Sequence, residues 1–263
     1  MTSLDELKRI AGRERVGLGV IEKDHAITVI LSVLSKTRLS ETLVFKGGTA
    51  IKKMYYPEAR FSLDLDFDCQ HDLSRELEKS IKKPLIENRE DVNFTGVRPE
   101  ESRAELGRRL SIQYKDSNGY PNSIKLDLAF REKPVMRTRT MAAKNPYGIE
   151  NVTIATMDIK EIMAEKLRAL IHVRKARHLY DIWFLLSKGV MTTKKLADKK
   201  LRMYGEKFEI DALMNSMKEV EGDWQTDLEA LVSEVPRFSR VRSDVIGAFR
   251  ELLHTSRARP NEP

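Results

Sequence analysis

Residues 62–68 read SLDLDFD, and the reading of this stretch decides the fold. Leu63, Leu65 and Phe67 alternate with Ser62, Asp64, Asp66 and Asp68. A period of two predicts a β-strand over about 61–68 with one apolar and one polar face. Side chains two apart on a strand point the same way, roughly 6–7 Å apart. Three aspartates on one face repel one another, and aspartate is a poor strand former. Two accounts are open. Carboxylates at i and i+2 can converge on a divalent cation, and hard oxygen donors select Mg²⁺ or Mn²⁺. Otherwise they are surface carboxylates on a solvated sheet face.

Just upstream, the apolar strand LVF (43–45) runs directly into Lys46-Gly47-Gly48-Thr49, and AIKKMYY then predicts a helix. Strand, glycines and helix together present free backbone N–H groups where phosphate binds favourably, and Thr49 adds a hydroxyl. The stretch is neither a P-loop nor a GxGxxG fingerprint. An ordinary glycine turn with a threonine cap is the competing account. A metal-bound nucleoside triphosphate would need both the glycine turn and the carboxylate strand.

Farther out, residues 20–37 predict a helix with Ile27, Ile30, Leu31 and Leu34 on one stripe, and 73–88 a second helix. The charged segment 89–105 shows no clear period. RLSIQYK (109–115) and SIKLDLAF (123–130) alternate on either side of Asn118-Gly119, a hairpin signal whose turn type stays open. In the second run Ile124, Leu126, Leu128 and Phe130 share one face, and Lys125 and Asp127 the other. Asp127 would complete a three-carboxylate site for two ions, which activate an attacking oxygen and neutralise a leaving phosphate.

Residues 131–157 read as loop, with Pro134, Pro146 and Gly148, and from Asp158 the sequence is helical. This predicts an α+β (α/β) chain: a mixed-sheet domain over 1–150 and a helical domain over 151–263, with a disordered tail from His254. In DIKEIMAEKLRALIHV, Lys166 falls in the middle of the stripe formed by Ile159, Ile162, Met163, Leu167, Leu170 and Ile171, while Glu165 and Arg168 fall on the polar side. A buried lysine is costly unless it meets an anion, such as a phosphate in a cleft, or snorkels to the surface. On the next helix Asp181 lies among Leu179, Tyr180, Ile182, Trp183, Phe184 and Leu185, so it needs a partner. Either Arg177, four residues back, pairs with it, or Asp181 positions Lys166 or substrate.

The rest of the composition narrows the function classes. The chain has 263 residues, 41% hydrophobic and 33% charged, as expected of a soluble globular protein. No apolar run is long enough for a bilayer, and MTSLDELKRI lacks a signal peptide's pattern, which points to the cytoplasm. One cysteine, Cys69, excludes an intrachain disulfide and a multi-cysteine zinc site, and it reads as a packing residue. The five histidines show no metal-ligand spacing and read as surface or helix residues. The net charge of +7 is concentrated in Lys160–Glu209, with 13 Lys/Arg against 6 Asp/Glu. That excess suits a phosphate-bearing partner such as RNA or forms a solvated helical surface.

Taken together, FKGGTAIKKMYY, RFSLDLDF, IKLDLAF and EKLRALIHVRKARHLYDIWFLL resemble the AbiEii/MenT group of nucleotidyltransferases, and EKDHAITVIL resembles its N-terminal segment. The resemblance covers about residues 20–190. It implies a DNA polymerase β-like nucleotidyltransferase core, a helical domain, and a toxin role in toxin–antitoxin or phage-defence systems. The implied reaction moves a nucleotide from an NTP to an acceptor, the 3′ end of tRNA in characterised members, and the implied partner is a cognate antitoxin. Asp64 and Asp66 match the metal-binding pair, Gly48 and Thr49 (after Gly47) the phosphate motif, and Lys166 and Asp181 the helical-domain residues. Asp127 matches the third carboxylate of the wider nucleotidyltransferase pattern. Nucleotidylation of a protein or small molecule is the enzymatic alternative, and a non-catalytic nucleic-acid or partner-binding module is the alternative of another class.

Overall fold

The structure is a computed structural model that describes residues 2–258 apart from 88–90, 101–106, 131–132 and 150. It divides into two compact units, Met1–Asp158 and Ile159–Pro263. The division falls after the last strand of the sheet.

The first unit is a seven-stranded mixed sheet with helices. The strands are β1 (Val44–Lys46), β2 (Leu65–Asp68), β3 (Asn93–Glu100), β4 (Gly107–Lys115), β5 (Pro121–Ala129), β6 (Arg139–Ala142) and β7 (Thr153–Thr156). Their order is β3-β4-β5-β2-β1-β7-β6. Strand β2 runs antiparallel to β1 and parallel to β5, so the aspartate strand lies at the centre of the sheet. One face is apolar throughout: Phe45, Leu65, Phe67, Leu110, Ile112, Leu126 and Leu128 are all buried. The Phe45 and Phe67 rings sit 5.0 Å apart across β1 and β2. Burying each such ring contributes about 1.5–3 kcal/mol. The hairpin turn forms at Asn118-Gly119, where Gly119 takes φ +82 and donates its N–H to Asp116.

Helix α1 (Leu4–Glu14) starts at Ser3, whose hydroxyl accepts the Glu6 N–H. Helix α2 (Leu18–Ser35) is apolar on nearly every side and accordingly buried, packing against α1, β7 and α4 (Ser74–Glu87). Its few polar groups are neutralised internally: Asp24 pairs with Lys53 at 2.6 Å and accepts from the Tyr147 hydroxyl at 2.7 Å. His25, read as a surface or helix residue, lies on α2 and is buried against the Tyr147 ring at 4.8 Å. Burial pushes its pKa down to about 4, so the imidazole is neutral. Cys69 is also buried, which pushes its thiol up to about 11, and its Sγ donates to the Ala129 carbonyl at 3.8 Å.

Three strands were not legible in the sequence. β3 lies in the charged segment, and β6 and β7 lie in the stretch read as loop. β6 is an exposed edge strand of four residues, with too little alternation to register. Part of the charged segment, residues 89–90 and 101–105, lies outside the described residues.

The second unit is helical: α5 (Ile159–Val173), α6 (Ala176–Ser187), α7 (Lys194–Leu201), α8 (Ile210–Val220), α9 (Trp224–Leu228) and α10 (Phe238–Ala258). Arg174 closes α5 in the left-handed region, φ 55, and returns its N–H to Ala169. α5 packs against α6, α7 and α8, which buries Ile162, Met163, Leu167, Leu170 and Ile171 of its stripe and leaves Ile159 at the helix start half-buried. The expectation of a disordered tail from His254 is corrected over 254–258, where α10 continues to Ala258; residues 259–263 lie outside the described residues. Among the described residues no helix is long and apolar enough to cross a membrane.

Candidate active site

The first cluster is built where β1 turns into a helix beside β2. Strand β1 ends at Lys46, and Gly47 takes φ +81, a conformation L side chains rarely adopt. A Cβ at Gly47 would collide with the Asp66 carboxylate, so only glycine permits this approach. From there the chain enters α3 (Gly47–Ala50), which continues as one π-helical turn through Tyr55. Such turns are rare and frequent at functional sites. A Cβ at Gly48 would stand 2.8 Å from the Ser62 hydroxyl and 3.0 Å from the Arg60 guanidinium. Thr49 is fully buried, and its hydroxyl donates to the Asp64 carbonyl at 2.5 Å. The glycine turn and the Asp-x-Asp stretch therefore touch.

That last bond also shortens the aspartate strand. Ladder pairing starts at Leu65, four residues later than expected, because β1 has only three residues and turns away at Gly47. Asp64 sits just before the strand, with its carbonyl taken by Thr49. The Thr49 hydroxyl proton is committed to this bond.

The three aspartates meet different surroundings. Asp68 is buried and paired with Lys46 at 2.5 Å, so it belongs to the sheet's internal neutralisation. Asp64 and Asp66 are half-buried. Asp66 is the Cα partner of Asp127 on β5, and Asp127 is the partner of Arg109 on β4. The structure differs from the three-carboxylate expectation at Asp127: both its oxygens accept from Arg109, at 2.6 and 2.8 Å. Among the described residues no three His, Cys, Asp or Glu side chains gather so as to hold one ion. The bond to Asp127 holds the Arg109 guanidinium still more firmly charged. Lys23 from α2 adds a second cation, after Arg109, facing Asp64; burial lowers its pKa, and Asp64 opposes that shift.

Two carboxylates beside a glycine turn are a donor set that fits Mg²⁺ or Mn²⁺, which keep several waters and use one or two carboxylates plus substrate phosphates. Lys23, Arg60 and Arg109 were missed from sequence. Arg60 could have been suspected from its place two residues before Ser62. Arg109 required the hairpin register, which the open loop length withheld.

The second cluster lies in the helical unit. Lys166, only 7% exposed, donates to Asp181 at 2.7 Å. Arg177 is exposed, so the sequence alternative of an Arg177 partner gives way to the lysine. A further buried cation was not foreseen: Lys200 on α7, fully buried, bonds Glu161 and Glu165 at 2.8 Å each. The polar side assigned to α5 is thus covered by α7. The Glu161/Glu165 spacing of four was the available signal. Of the basic residues counted between Lys160 and Glu209, Lys166, Arg168 and Lys200 are turned into such pairs, whereas Lys175, Arg177, Lys188, Lys195, Lys199, Arg202 and Lys207 stay exposed.

A sequence profile described as "Nucleotidyl transferase AbiEii toxin, Type IV TA system" matches residues 29–254. No curated protein sequence matches the chain. Among solved structures, the nucleotidyltransferase toxin MenT4 of Mycobacterium tuberculosis H37Rv superposes with a TM-score of 0.75 at 22% identity, over 95% of this chain and 89% of that one. This likeness shows a shared fold. An antigenic nucleotidyltransferase-like protein from Paracoccidioides brasiliensis aligns with a TM-score of 0.43 at 15% identity, over 80% of this chain and 95% of that one.

Proposed function

The chain belongs to the AbiEii family of nucleotidyltransferase toxins of type IV toxin–antitoxin systems, and on that premise we propose that it transfers a nucleotide from an NTP to the 3′ end of a tRNA in the cytoplasm. The observation that carries this reading is the contact of the glycine turn with the carboxylates: Gly47 against Asp66, and Thr49 bonded to Asp64. A triphosphate held by cation and backbone needs that proximity. Asp64 and Asp66 hold Mg²⁺ (or Mn²⁺), with Asp127 as the further carboxylate of the site. Bound there, the cation neutralises phosphate charge.

The backbone N–H groups of Gly48 and Thr49 take the β- and γ-phosphate oxygens, with Arg60 behind the turn. The acceptor hydroxyl attacks the α-phosphorus, a P–O bond forms, the bond to pyrophosphate breaks, and the hydroxyl proton passes to a carboxylate. Lys166, held in place by Asp181, offsets charge on the departing pyrophosphate. Catalysis of this kind rests on positioning and electrostatics. The exposed lysines and arginines of the helical unit bind RNA phosphates, so affinity falls with salt. A cognate antitoxin is the partner the family implies.

Purified protein incubated with each labelled NTP, Mg²⁺ and total RNA tests the proposal. Label is expected in the tRNA fraction and absent with Asp66→Asn. Label on protein instead would move the acceptor to that class. A folded protein that labels nothing would overturn the reading.

A further inference from the structure

Three neighbouring strands carry one row of charge: Arg109 on β4, Asp127 on β5 and Asp66 on β2 are successive register partners. Partners across a ladder project to the same face, with strands about 4.8 Å apart. Asp127 is therefore bracketed by a guanidinium on one side and a carboxylate on the other. The guanidinium has taken it. Its fork places one hydrogen bond on each Asp127 oxygen, so a cation would compete with the guanidinium for this carboxylate.

This pair is unlike the structural pairs of the same unit. Lys53–Asp24 is buried and Lys46–Asp68 nearly so, whereas the Arg109 and Asp127 side chains are 39% and 35% exposed. A pair partly open to water can be re-solvated when its partner changes, which costs less than stranding a charge in a sealed pair. Arg109 is stabilised as a cation by Asp127 first and by Glu100 and Asp64 as well. An incoming triphosphate offers the fork the same bidentate oxygen geometry with more charge.

We propose that Arg109 is a placeholder: it keeps Asp127 out of the cation site until a nucleotide arrives, and the triphosphate then draws the guanidinium away and frees Asp127 as a third oxygen donor. The inference rests on the nucleotidyl-transfer reading of Asp64 and Asp66. It makes nucleotide and divalent cation bind cooperatively, each raising the other's affinity by the same factor. Arg109 is on this account a positioning residue that couples the two ligands.

Mn²⁺ titration of the full chain, followed by electron paramagnetic resonance with and without a non-hydrolysable NTP analogue, reads the coupling directly. Without nucleotide, Arg109→Gln is expected to bind Mn²⁺ ~10-fold more tightly than the native chain, the scale on which outer partners of metal ligands act. The analogue should tighten Mn²⁺ binding to the native chain and do little for Arg109→Gln. Asp127→Asn should weaken Mn²⁺ binding only when the analogue is present. In Arg109→Gln/Asp127→Asn the gain must vanish; if it persists, it reports only the loss of a positive charge and the proposal fails. Equal Mn²⁺ affinity in Arg109→Gln and the native chain also overturns it. Should Arg109→Gln not fold, Arg109→Lys, which cannot make the fork, and Asp127→Asn decide the matter alone. Asp66→Asn separates the two levels. If it leaves Mn²⁺ binding intact, the parent reading fails; if it abolishes binding while Arg109→Gln changes nothing, only the placeholder fails.

Discussion

Two charged clusters of the sheet unit use the same residue types for opposite ends. Under α2, Asp24 and Lys53 are each 2% exposed and meet at 2.6 Å, with the Tyr147 hydroxyl completing the contact. On the sheet's polar face, Asp64, Asp66, Asp127 and Arg109 stay partly open to water. Burial makes the difference. A pair sealed from solvent cannot exchange partners, because either charge left alone costs several kcal/mol. A half-exposed row can trade one ion for another cheaply, which a site that binds phosphate and cation must do. Within the sheet unit, the sealed pair is structural and the half-exposed row is the proposed seat of the cation.

Substitutions can break this contrast. Asp66→Asn should lower nucleotidyl transfer by ~10³-fold, the range for loss of a preorganised electrostatic group, with the thermal midpoint nearly unchanged. Steady-state transfer assays paired with thermal unfolding measure both; a large fall in stability would put Asp66 with the structural charges. Lys53→Met should do the reverse. It strands Asp24 in the interior and should cost about 3–5 kcal/mol in denaturant unfolding, while activity per folded molecule is kept.

Gly47→Ala sharpens the link between turn and carboxylate. Its φ of +81 and the collision with Asp66 together should cost about 1–3 kcal/mol, and transfer should fall with it. An alanine variant with full activity would separate the turn from the site. The smallest expected effect is on the dry side. His25 stays neutral in the fold down to about pH 4, whereas the unfolded chain takes up that proton near 6.5. The unfolded state binds more protons through this window, so His25 makes stability fall as pH drops from 6.5 towards 4, by about 1–3 kcal/mol. His25→Gln should flatten that part of the stability profile in urea titrations. An unchanged slope would mean the imidazole titrates normally.

Much of this was readable along the chain. Alternation in SLDLDFD and SIKLDLAF gave the apolar and polar sheet faces, and the stripe on α5 singled out Lys166 as a buried cation. Short elements escaped, since four residues in β6 or β7 hold too few repeats to declare a period. Partner choice escaped as well. The sequence set Arg177 against Lys166 as partner of Asp181, and only helix packing chose the lysine.

By itself, then, the sequence determined which side of each long element faces the core and which chemistry-bearing residues stand close along the chain, because periodicity reports orientation relative to an element's own axis. Strand order and register are relations between elements, and these only the tertiary structure decided. That is why the pairing of Asp68 with Lys46, the hold of Arg109 on Asp127 and the burial of Lys200 between two glutamates became visible only in the fold.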